Sequence, residues 1–504
     1  MVSPLQQLLR QRASLRWPPK ADVVHLALLS AVILVGAWLR ASLLHKPIQY
    51  DEAYTYLYFA SRPLPALLAD YSAPNNHLFH TLLVALSSRL LGAAPWTLRL
   101  PAFLAGVLTI PAAYLLVRRL GSAHQALAAA ALVALAPNLI DYSANGRGYT
   151  LIVLFALLLA YLATHLTEHP TPRCWLAYSL VLALGMHTIP IFLYTAVGVS
   201  LWMMAIHLTD PLPWPERRRR LLWLAYASLL AGLLTLLLYS PVLLVGTGWR
   251  SLIANDIVAS RSWPVFLADA LPRFHRAILA WMTGFPPATN GGLLIGFLIS
   301  LTFHRRLTRQ RYPLMIFLIL GFLLVIILQR VIPLPRVWLS LYAFYLIFAA
   351  SGLIGVVERL PIRKDARWLD LLILLGAVVI LITSSIPAKI QIIAHRDSPE
   401  EQLAAYLAET LQPTDTLIAV PPVDIQTAYY LALHGVPLDR LYRPAQPRPI
   451  QNALVLVRLT TQHNTLLDVL DYYNLRQQLI PQKARLIYEY GPLQLYSLPA
   501  QFTP

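Results

Sequence analysis

The chain has 504 residues, of which 57% are hydrophobic and 12% charged, with a formal net charge of +17. This composition excludes a soluble globular enzyme, and recurring apolar runs of about 17–25 residues predict a polytopic α-helical membrane protein. The single cysteine, Cys174, excludes an internal disulfide and a cysteine-based metal cluster.

The basic residues are concentrated in the part of the chain that carries the apolar runs. Residues 392–504 hold 8 Lys+Arg and 10 Asp+Glu, a net charge of −2, so the first 391 residues carry +19. Their cations cluster in short segments between apolar runs, at 10–20, 118–119, 217–220, 305–311 and 359–367. Placing these segments in the cytoplasm satisfies the positive-inside rule. The excess charge therefore reports membrane topology, and nucleic acid is not expected as a partner.

This rule predicts about 11 spanning helices in a multi-pass protein of the cell membrane, with a cytoplasmic N-terminus and an extracytoplasmic C-terminus. The predicted spans are 22–42, 98–117, 123–141, 147–166, 174–187, 189–207, 220–243, 290–303, 312–329, 337–356 and 367–386. The apolar stretch 77–91 is short and carries His77 and His80 on one predicted helix face, so we expect an interfacial helix along the outer membrane surface.

An acidic pair, Asp51-Glu52, stands just beyond the first predicted span in a chain with only 23 Asp+Glu. Carboxylates at a membrane exit are typical of functional sites, although an acidic pair at a helix start can also simply balance the helix dipole. The topology places the loop 43–97, which carries this pair, on the same outer side as the turn after residue 141 and the segments 244–289 and 330–336. Carboxylates, histidines and arginines are thus expected to converge at one interface.

The tail differs in pattern from the rest of the chain. Ser398-Pro399-Glu400-Glu401 reads as a capped helix start. Short apolar strands at 416–420, 453–457, 484–490 and 493–497 alternate with helices at 424–433 and 465–473. We therefore predict two domains, a transmembrane domain at 1–391 with a catalytic outer loop at 43–97, and a small extracytoplasmic α/β domain at 392–504.

Several short motifs, taken in order, resemble those of GT-C glycosyltransferases, the membrane class that includes protein O-mannosyltransferases and lipid A aminoarabinose transferases. The resemblance covers roughly residues 22–208 and adds a late Pro-Arg pair. The motifs are Tyr50-Asp51-Glu52-Ala53, the histidines before the interfacial helix, Leu98-Arg99-Leu100-Pro101-Ala102, the segment 114–121, Gly146-Arg147-Gly148-Tyr149 and Pro335-Arg336.

The resemblance implies an enzyme that transfers a sugar from a polyprenyl-phosphate donor to a lipid, glycan or protein acceptor at the outer membrane face. Asp51 matches the acidic residue that the family places in this loop and is the expected catalytic base, with Glu52 supporting it. The residues expected to bind substrate are His77, His80, Asp141, Arg147, Tyr149, His187 and Arg336. No organic cofactor is expected, and a divalent metal ion held by Asp51, Glu52 and His77 is an open alternative.

Two other classes of protein compete with the enzyme. A transporter or flippase of lipid-linked sugars predicts charges in mid-span and paired half-helices, whereas Arg40, Arg118 and Arg359 stand at predicted helix ends. A scaffold or sensor that only binds lipid-linked sugars would lack turnover. Polar groups gathered on one face favour the enzyme.

Overall fold

The computed structural model describes residues 23–254, 259–360, 366–394, 398–445 and 449–500, and it is mostly helical. The helices of the first part are α1 Val23–Ala41, α2 Tyr50–Thr55, α3 Leu64–Ala69, α4 Leu78–Leu91, α5 Pro95–Leu120, α6 Ala123–Leu135, α7 Pro137–Ser143, α8 Tyr149–Glu168, α9 Pro172–Thr188, α10 Leu193–Thr209, α11 Trp214–Leu244, α12 Trp249–Ile253, α13 Trp263–Met282, α14 Pro287–Thr302, α15 His304–Leu307, α16 Leu314–Gln329, α17 Leu339–Val357, α18 Ala366–Ile380 and α19 Ile386–Ala394. Two π-helical turns, Tyr56–Ala60 and Leu381–Ser385, follow α2 and α18.

Among the described residues, seven helical stretches are long and apolar enough to cross a membrane, or nine if each of two bent helix pairs forms one span. The bent pairs are α6 with α7, at 59°, and α13 with α14, at 109°. A multi-pass membrane protein is thereby confirmed. The count of 11 spans stays a prediction.

The predicted span 123–141 is wrong as a single helix, because the chain bends before Pro137. A proline has no N–H for the carbonyl one turn earlier, and its ring crowds that carbonyl. The side chain of Arg40 takes over this role. It donates to the Val133 carbonyl at 3.0 Å and to the Ala134 carbonyl at 2.8 Å, so the broken end is satisfied inside the membrane domain.

The predicted outer segment 244–289 contains a helix, α13, that the sequence analysis missed. Its apolar residues lie on one face, and Arg273 and Arg276 interrupt any continuous apolar run. A search for long apolar runs does not detect an amphipathic helix of this kind.

Glycines bring the spanning helices of the core close together. A Cβ atom on Gly352 in α17 would lie 1.8 Å from the Gly296 carbonyl of α14, and one on Gly321 in α16 would lie 2.5 Å from Cα of Gly198 in α10. Small residues let helix backbones approach closely where lipid supplies no hydrophobic drive for association. These two helix pairs are therefore fixed by backbone contact.

The C-terminal part folds as predicted, into a small α/β unit. It comprises α20 Pro399–Thr410, β1 Asp415–Ile418, α21 Val423–Leu433, β2 Asn452–Arg458, α22 Leu466–Tyr472, β3 Arg485–Tyr490 and β4 Leu493–Pro499. The sheet order is β1-β2-β4-β3; β1 and β2 are parallel, and β4 is antiparallel to both neighbours. Ser398 caps α20, its hydroxyl accepting from the Glu401 amide, as its sequence predicts.

One hydrophobic core joins this unit to the outer loop. Ile48, Ala53 and Leu98 from the first part pack in the same buried cluster as Leu403 and Tyr429 from the C-terminal part. Because these side chains share a core, the C-terminal unit lies directly on the segment that carries Asp51.

Candidate active site

The acidic pair lies in the first turn of the six-residue helix α2. Gln49 precedes the helix in extended conformation, and its N–H donates to Oε2 of Glu52 at 2.9 Å. This reciprocal capping fixes the helix start and turns the two neighbouring carboxylates in different directions. Glu52 points into the protein, whereas the Asp51 side chain remains 33% exposed.

Glu52 is held by groups from one membrane helix and a turn. Arg99 of α5 donates to both of its oxygens, and the Gly146 amide donates to Oε1 at 2.5 Å. Burial by itself raises the pKa of a carboxyl group, but the Arg99 guanidinium outweighs it and holds the pKa of Glu52 below its ordinary value. Glu52 is therefore a buried carboxylate that ties α2 to α5 and to the 144–148 turn.

Asp51 meets two arginines from distant parts of the chain. The guanidinium of Arg147 forms an ion pair with its Oδ2, and Nη1 of Arg336 lies 3.6 Å from the same oxygen. Oδ1 accepts from the Asn75 amide at 3.2 Å, and the Asn75 oxygen in turn accepts from Arg147 at 3.1 Å. Two cations thus face one carboxylate oxygen, and Asn75 bridges Asp51 and Arg147.

His77 lies next to Arg147. Its Nδ1 accepts from the Gly148 amide at 2.9 Å, so a neutral ring carries its proton on Nε2, 3.3 Å from Nη2 of Arg147. Burial, with Arg147 adding to it, keeps the pKa of His77 well below its ordinary value. A neutral His77 beside Arg147 avoids a third positive charge in this group.

The ring of Tyr149 forms a platform under both arginines. The guanidinium carbons of Arg147 and Arg336 lie 5.4 Å and 5.9 Å from its centroid, and His77 meets the ring edge-on at 5.1 Å. A cation over an aromatic face is attracted by the ring quadrupole. Tyr149 therefore holds two like charges close together.

Gly148 makes this arrangement possible. A Cβ atom at this position would lie 2.8 Å from the Thr188 methyl group and 3.2 Å from the His77 ring. The Gly-Arg-Gly motif thus reflects close packing around Arg147.

Comparisons with known proteins identify the fold. A family model described as dolichyl-phosphate-mannose-protein mannosyltransferase matches residues 75–245, about a third of the chain. ArnT from Cupriavidus metallidurans in the apo state matches with a TM-score of 0.60 at 15% identity, over 94% of this chain and 97% of that chain. ArnT bound to undecaprenyl phosphate matches with a TM-score of 0.59 at 15% identity, over 95% and 98%. The chain has the GT-C fold. Comparison with curated proteins gives no match.

The predicted resemblance to GT-C glycosyltransferases is confirmed in fold, and the structure brings five of the nine predicted site residues into one group. These five are Asp51, His77, Arg147, Tyr149 and Arg336. The Glu52 side chain is fully buried and pairs with Arg99, outside this group. A catalytic role for each remains a prediction.

The other three residues of the predicted GT-C site lie apart from this group. Asp141 forms an ion pair with Lys46 at 2.6 Å. His80 is fully buried in α4, neither ring nitrogen has a hydrogen-bond partner, and burial lowers its pKa to about 3. His187 packs edge-on against Tyr239 with ring centroids 5.3 Å apart.

The expected placement of His77 and His80 on one helix face is wrong. His77 precedes α4, with ψ at 80°, and only His80 is helical. This break turns the two rings in different directions, so that His77 faces Arg147.

The sequence analysis gave no site role to three polar residues that lie around the site, Lys46, Asn75 and Arg99, although Arg99 stands in one of the quoted motifs. Arg99 lies in an apolar helix, where an arginine reads as an interfacial anchor. Asn75 and Lys46 lie in a loop with no periodic pattern. The one available signal was their position beside residues already selected, Asn75 two residues before His77 and Lys46 five before Asp51.

The residues proposed for a metal ion do not fit one together. The Glu52 oxygens are occupied by Arg99, Gly146 and Gln49, and both His77 nitrogens face other groups. Within the described residues, no group of three or more His, Cys, Asp or Glu side chains is arranged to hold a metal. The Asp51 side chain is 33% exposed, and its Oδ2 faces two guanidinium groups.

Proposed function

We propose that the protein transfers a sugar from a polyprenyl-phosphate donor to a lipid, glycan or protein acceptor, with Asp51 as the catalytic carboxylate. The observation that carries this proposal is the convergence of Arg147 and Arg336 on one oxygen of Asp51, whose side chain is 33% exposed. The fold supports it, since ArnT with the same fold binds undecaprenyl phosphate. The match to a family model for mannosyl transfer from a dolichyl phosphate supports it as well.

Asp51 occupies the position between the two arginines that a phosphate oxygen of the donor would take. Arginine grips phosphate through parallel, charge-assisted hydrogen bonds. When the donor phosphate arrives, it competes for both guanidinium groups, and Asp51 is released from its ion pair. The same event therefore binds the leaving group and frees the base.

The transfer then has a simple balance of bonds. The acceptor hydroxyl or amine attacks the anomeric carbon, the bond from that carbon to the phosphate oxygen breaks, and polyprenyl phosphate leaves with the electron pair. Asp51 takes the acceptor proton and later passes it to solvent. Arg147 and Arg336 stabilise the charge that grows on the phosphate. Asn75 accepts a hydrogen bond from Arg147 and holds it in place.

Glu52 has a positioning role in this proposal. Its oxygens are saturated with hydrogen bonds, and its side chain is fully buried, so it cannot reach an acceptor. It fixes the helix that carries Asp51 against the turn that carries Arg147.

The proposed topology places the site at the outer membrane face, with the N-terminus cytoplasmic and the C-terminal unit extracytoplasmic. It rests on the distribution of cationic segments. A lipid donor fits this position, because its chain lies in the bilayer while the sugar and phosphate reach the surface.

The test uses purified protein in proteoliposomes and a panel of mass-tagged polyprenyl-phosphate sugars. We expect Asp51→Asn to lose roughly 10²-fold or more in turnover while donor binding stays within a few-fold. Asp70→Asn is the matched control, because Asp70 lies in the same outer loop but pairs with the exposed Arg62.

Near wild-type turnover in Asp51→Asn would exclude Asp51 as the base. Movement of labelled donor across the bilayer by the wild type, without sugar transfer, would favour the flippase.

A further inference from the structure

The C-terminal unit forms hydrogen bonds to the backbone of the catalytic loop at Ile48. Gln426 and Tyr430 lie four residues apart on one face of α21. The Ile48 N–H donates to the Tyr430 hydroxyl oxygen at 3.0 Å, and the Ile48 carbonyl accepts from the Gln426 amide at 2.8 Å. Both backbone groups of Ile48 are thus bound by one helix turn.

A displacement of the Ile48 backbone would also displace Asp51, which lies three residues further along the chain. Ile48 precedes Gln49, which caps α2, and Asp51 lies in the first turn of that helix. The Ile48 side chain is 1% exposed and belongs to the core shared by the two parts of the chain. A shift of Ile48 therefore shifts the helix start and the Asp51 carboxylate with it.

The opposite side of this loop is held by the membrane part. Arg99 donates to the carbonyls of Leu44, Lys46 and Pro47 at 2.8, 2.5 and 2.8 Å. The segment 44–48 is thus held by Arg99 on the membrane side and by α21 on the other. Neither part of the protein fixes the loop alone.

A further contact strengthens the same junction. The Tyr429 hydroxyl donates to the Ala93 carbonyl at 2.5 Å, just before α5, and its ring meets that of Tyr56 edge-on at 5.8 Å. Tyr429 is fully buried. Neighbouring residues of α21 therefore contact both the loop before Asp51 and the start of the helix that carries Arg99.

We propose that Gln426 and Tyr430 are positioning residues, through which the C-terminal unit sets the place of Asp51 relative to Arg147 and Arg336. This inference rests on the proposed function for its kinetic consequence. The two arginines belong to the membrane part, whereas the base is attached to both parts. Displacement of the C-terminal unit would then uncouple the base from an intact phosphate site.

The kinetic signature is a fall in kcat with little change in the donor KM. A misplacement of about 1 Å can cost about 10²-fold in rate, so we expect Tyr430→Phe and Gln426→Met each to lower kcat by about ten-fold or more. The donor KM should remain within two-fold, roughly, because the phosphate-binding arginines are untouched.

Tyr473→Phe is the matched control. The Tyr473 hydroxyl donates to the Ala419 carbonyl at 3.0 Å, inside the C-terminal unit. This variant also loses one hydrogen bond between a tyrosine hydroxyl and the backbone, but it leaves both bonds to Ile48 intact. We expect wild-type kcat from it.

Hydrogen–deuterium exchange of the full-length variants tests the coupling without any donor. Peptides covering residues 44–56 should exchange faster in Tyr430→Phe and Gln426→Met than in the wild type and in Tyr473→Phe. Unchanged exchange in both variants, or an equal kcat loss in Tyr473→Phe, would overturn the inference. Absence of sugar transfer by the wild type would contradict the proposed function instead, and the exchange result would still decide the coupling.

Discussion

The guanidinium of Arg99 holds the carboxylate of Glu52 through two hydrogen bonds, Nε to Oε1 at 2.8 Å and Nη2 to Oε2 at 2.6 Å, and both side chains are completely buried. A buried ion pair of this geometry stabilises the folded protein little more than an apolar pair of the same shape would. Losing one partner, however, leaves an uncompensated buried charge, which is strongly destabilising. The pair therefore makes the loop that carries Asp51 sensitive to substitution at the buried Arg99.

Arg99→Met should destabilise the protein by about 3–5 kcal/mol, because Glu52 would keep its charge without its partner. The midpoint of thermal unfolding in detergent measures this effect. Arg62→Met is the control, since Arg62 pairs with Asp70 in the same loop but its side chain is 43% exposed. An exposed pair of this kind contributes at most about 1 kcal/mol. Equal effects of the two substitutions on the unfolding midpoint would show that the buried pair contributes no more to stability than the exposed pair.

The free energy of unfolding of the protein should fall in mild acid. Burial lowers the pKa of His80 to about 3, and that of His77 lies well below its ordinary value. Below about pH 6.5 the unfolded chain binds protons at these rings while the folded chain does not, for His80 down to about pH 3, so unfolding becomes more favourable as pH falls. Each histidine contributes a slope of up to about 1.4 kcal/mol per pH unit.

His80→Leu isolates one part of this slope. The His80 ring nitrogens have no hydrogen-bond partner, so the substitution removes the titrating group without breaking a contact. Unfolding midpoints measured from pH 7 to pH 4 should fall less in this variant than in the wild type. Substitution of the exposed His434 serves as the control. A wild-type slope in His80→Leu would exclude His80 as a source of the acid sensitivity.

Local sequence patterns correctly predicted those helices and strands whose hydrogen bonds and burial depend on nearby residues. The strands and helices after Ser398 follow from alternation and capping, and Asp51 stands out because carboxylates are rare in this chain. The contact of Ile48 with Tyr430 joins residues 382 positions apart. Such a pairing depends on how two folded parts meet, and nothing in either segment alone predicts it.

The prediction and the structure also differ where an arginine side chain donates to backbone carbonyls inside the protein. Arg40 reads as an interfacial anchor, yet it satisfies the carbonyls freed by Pro137. Arg99 reads the same way, yet it binds Glu52 and three backbone carbonyls. An arginine in an apolar helix has two physical outcomes, solvation at the interface or satisfaction inside the protein, and only tertiary structure distinguishes them.

The predicted topology can be tested by labelling single cysteines in intact cells, in a Cys174→Ala background. Ser398 is buried and caps α20, so the exposed Gln462 is the better position in the C-terminal unit. An impermeant thiol reagent should label Gln462→Cys. It should leave Arg218→Cys unlabelled until the cells are opened, because the cationic segment 217–220 is expected in the cytoplasm. Labelling of Arg218→Cys in intact cells would reverse the topology.

Arg336 tests whether the phosphate site needs the geometry of arginine or only its charge. Its guanidinium lies over Tyr149 and 3.6 Å from Asp51, and the side chain is 32% exposed, so a ligand can reach it. Lysine keeps the charge but cannot form two parallel bonds to a phosphate. We expect Arg336→Lys to weaken donor affinity or turnover.

Arg336→Ala should have a larger effect, by about 1.5–3 kcal/mol if a charge-assisted bond is lost. Steady-state kinetics with the lipid donor varied measures both variants. Arg330→Lys is the control, because Arg330 lies at the end of the preceding helix and stacks on Trp263 at 5.8 Å, away from Asp51. If Arg336→Lys and Arg330→Lys both match the wild type, Arg336 acts only as an anchor at the membrane surface, and the phosphate must be bound by Arg147 without it.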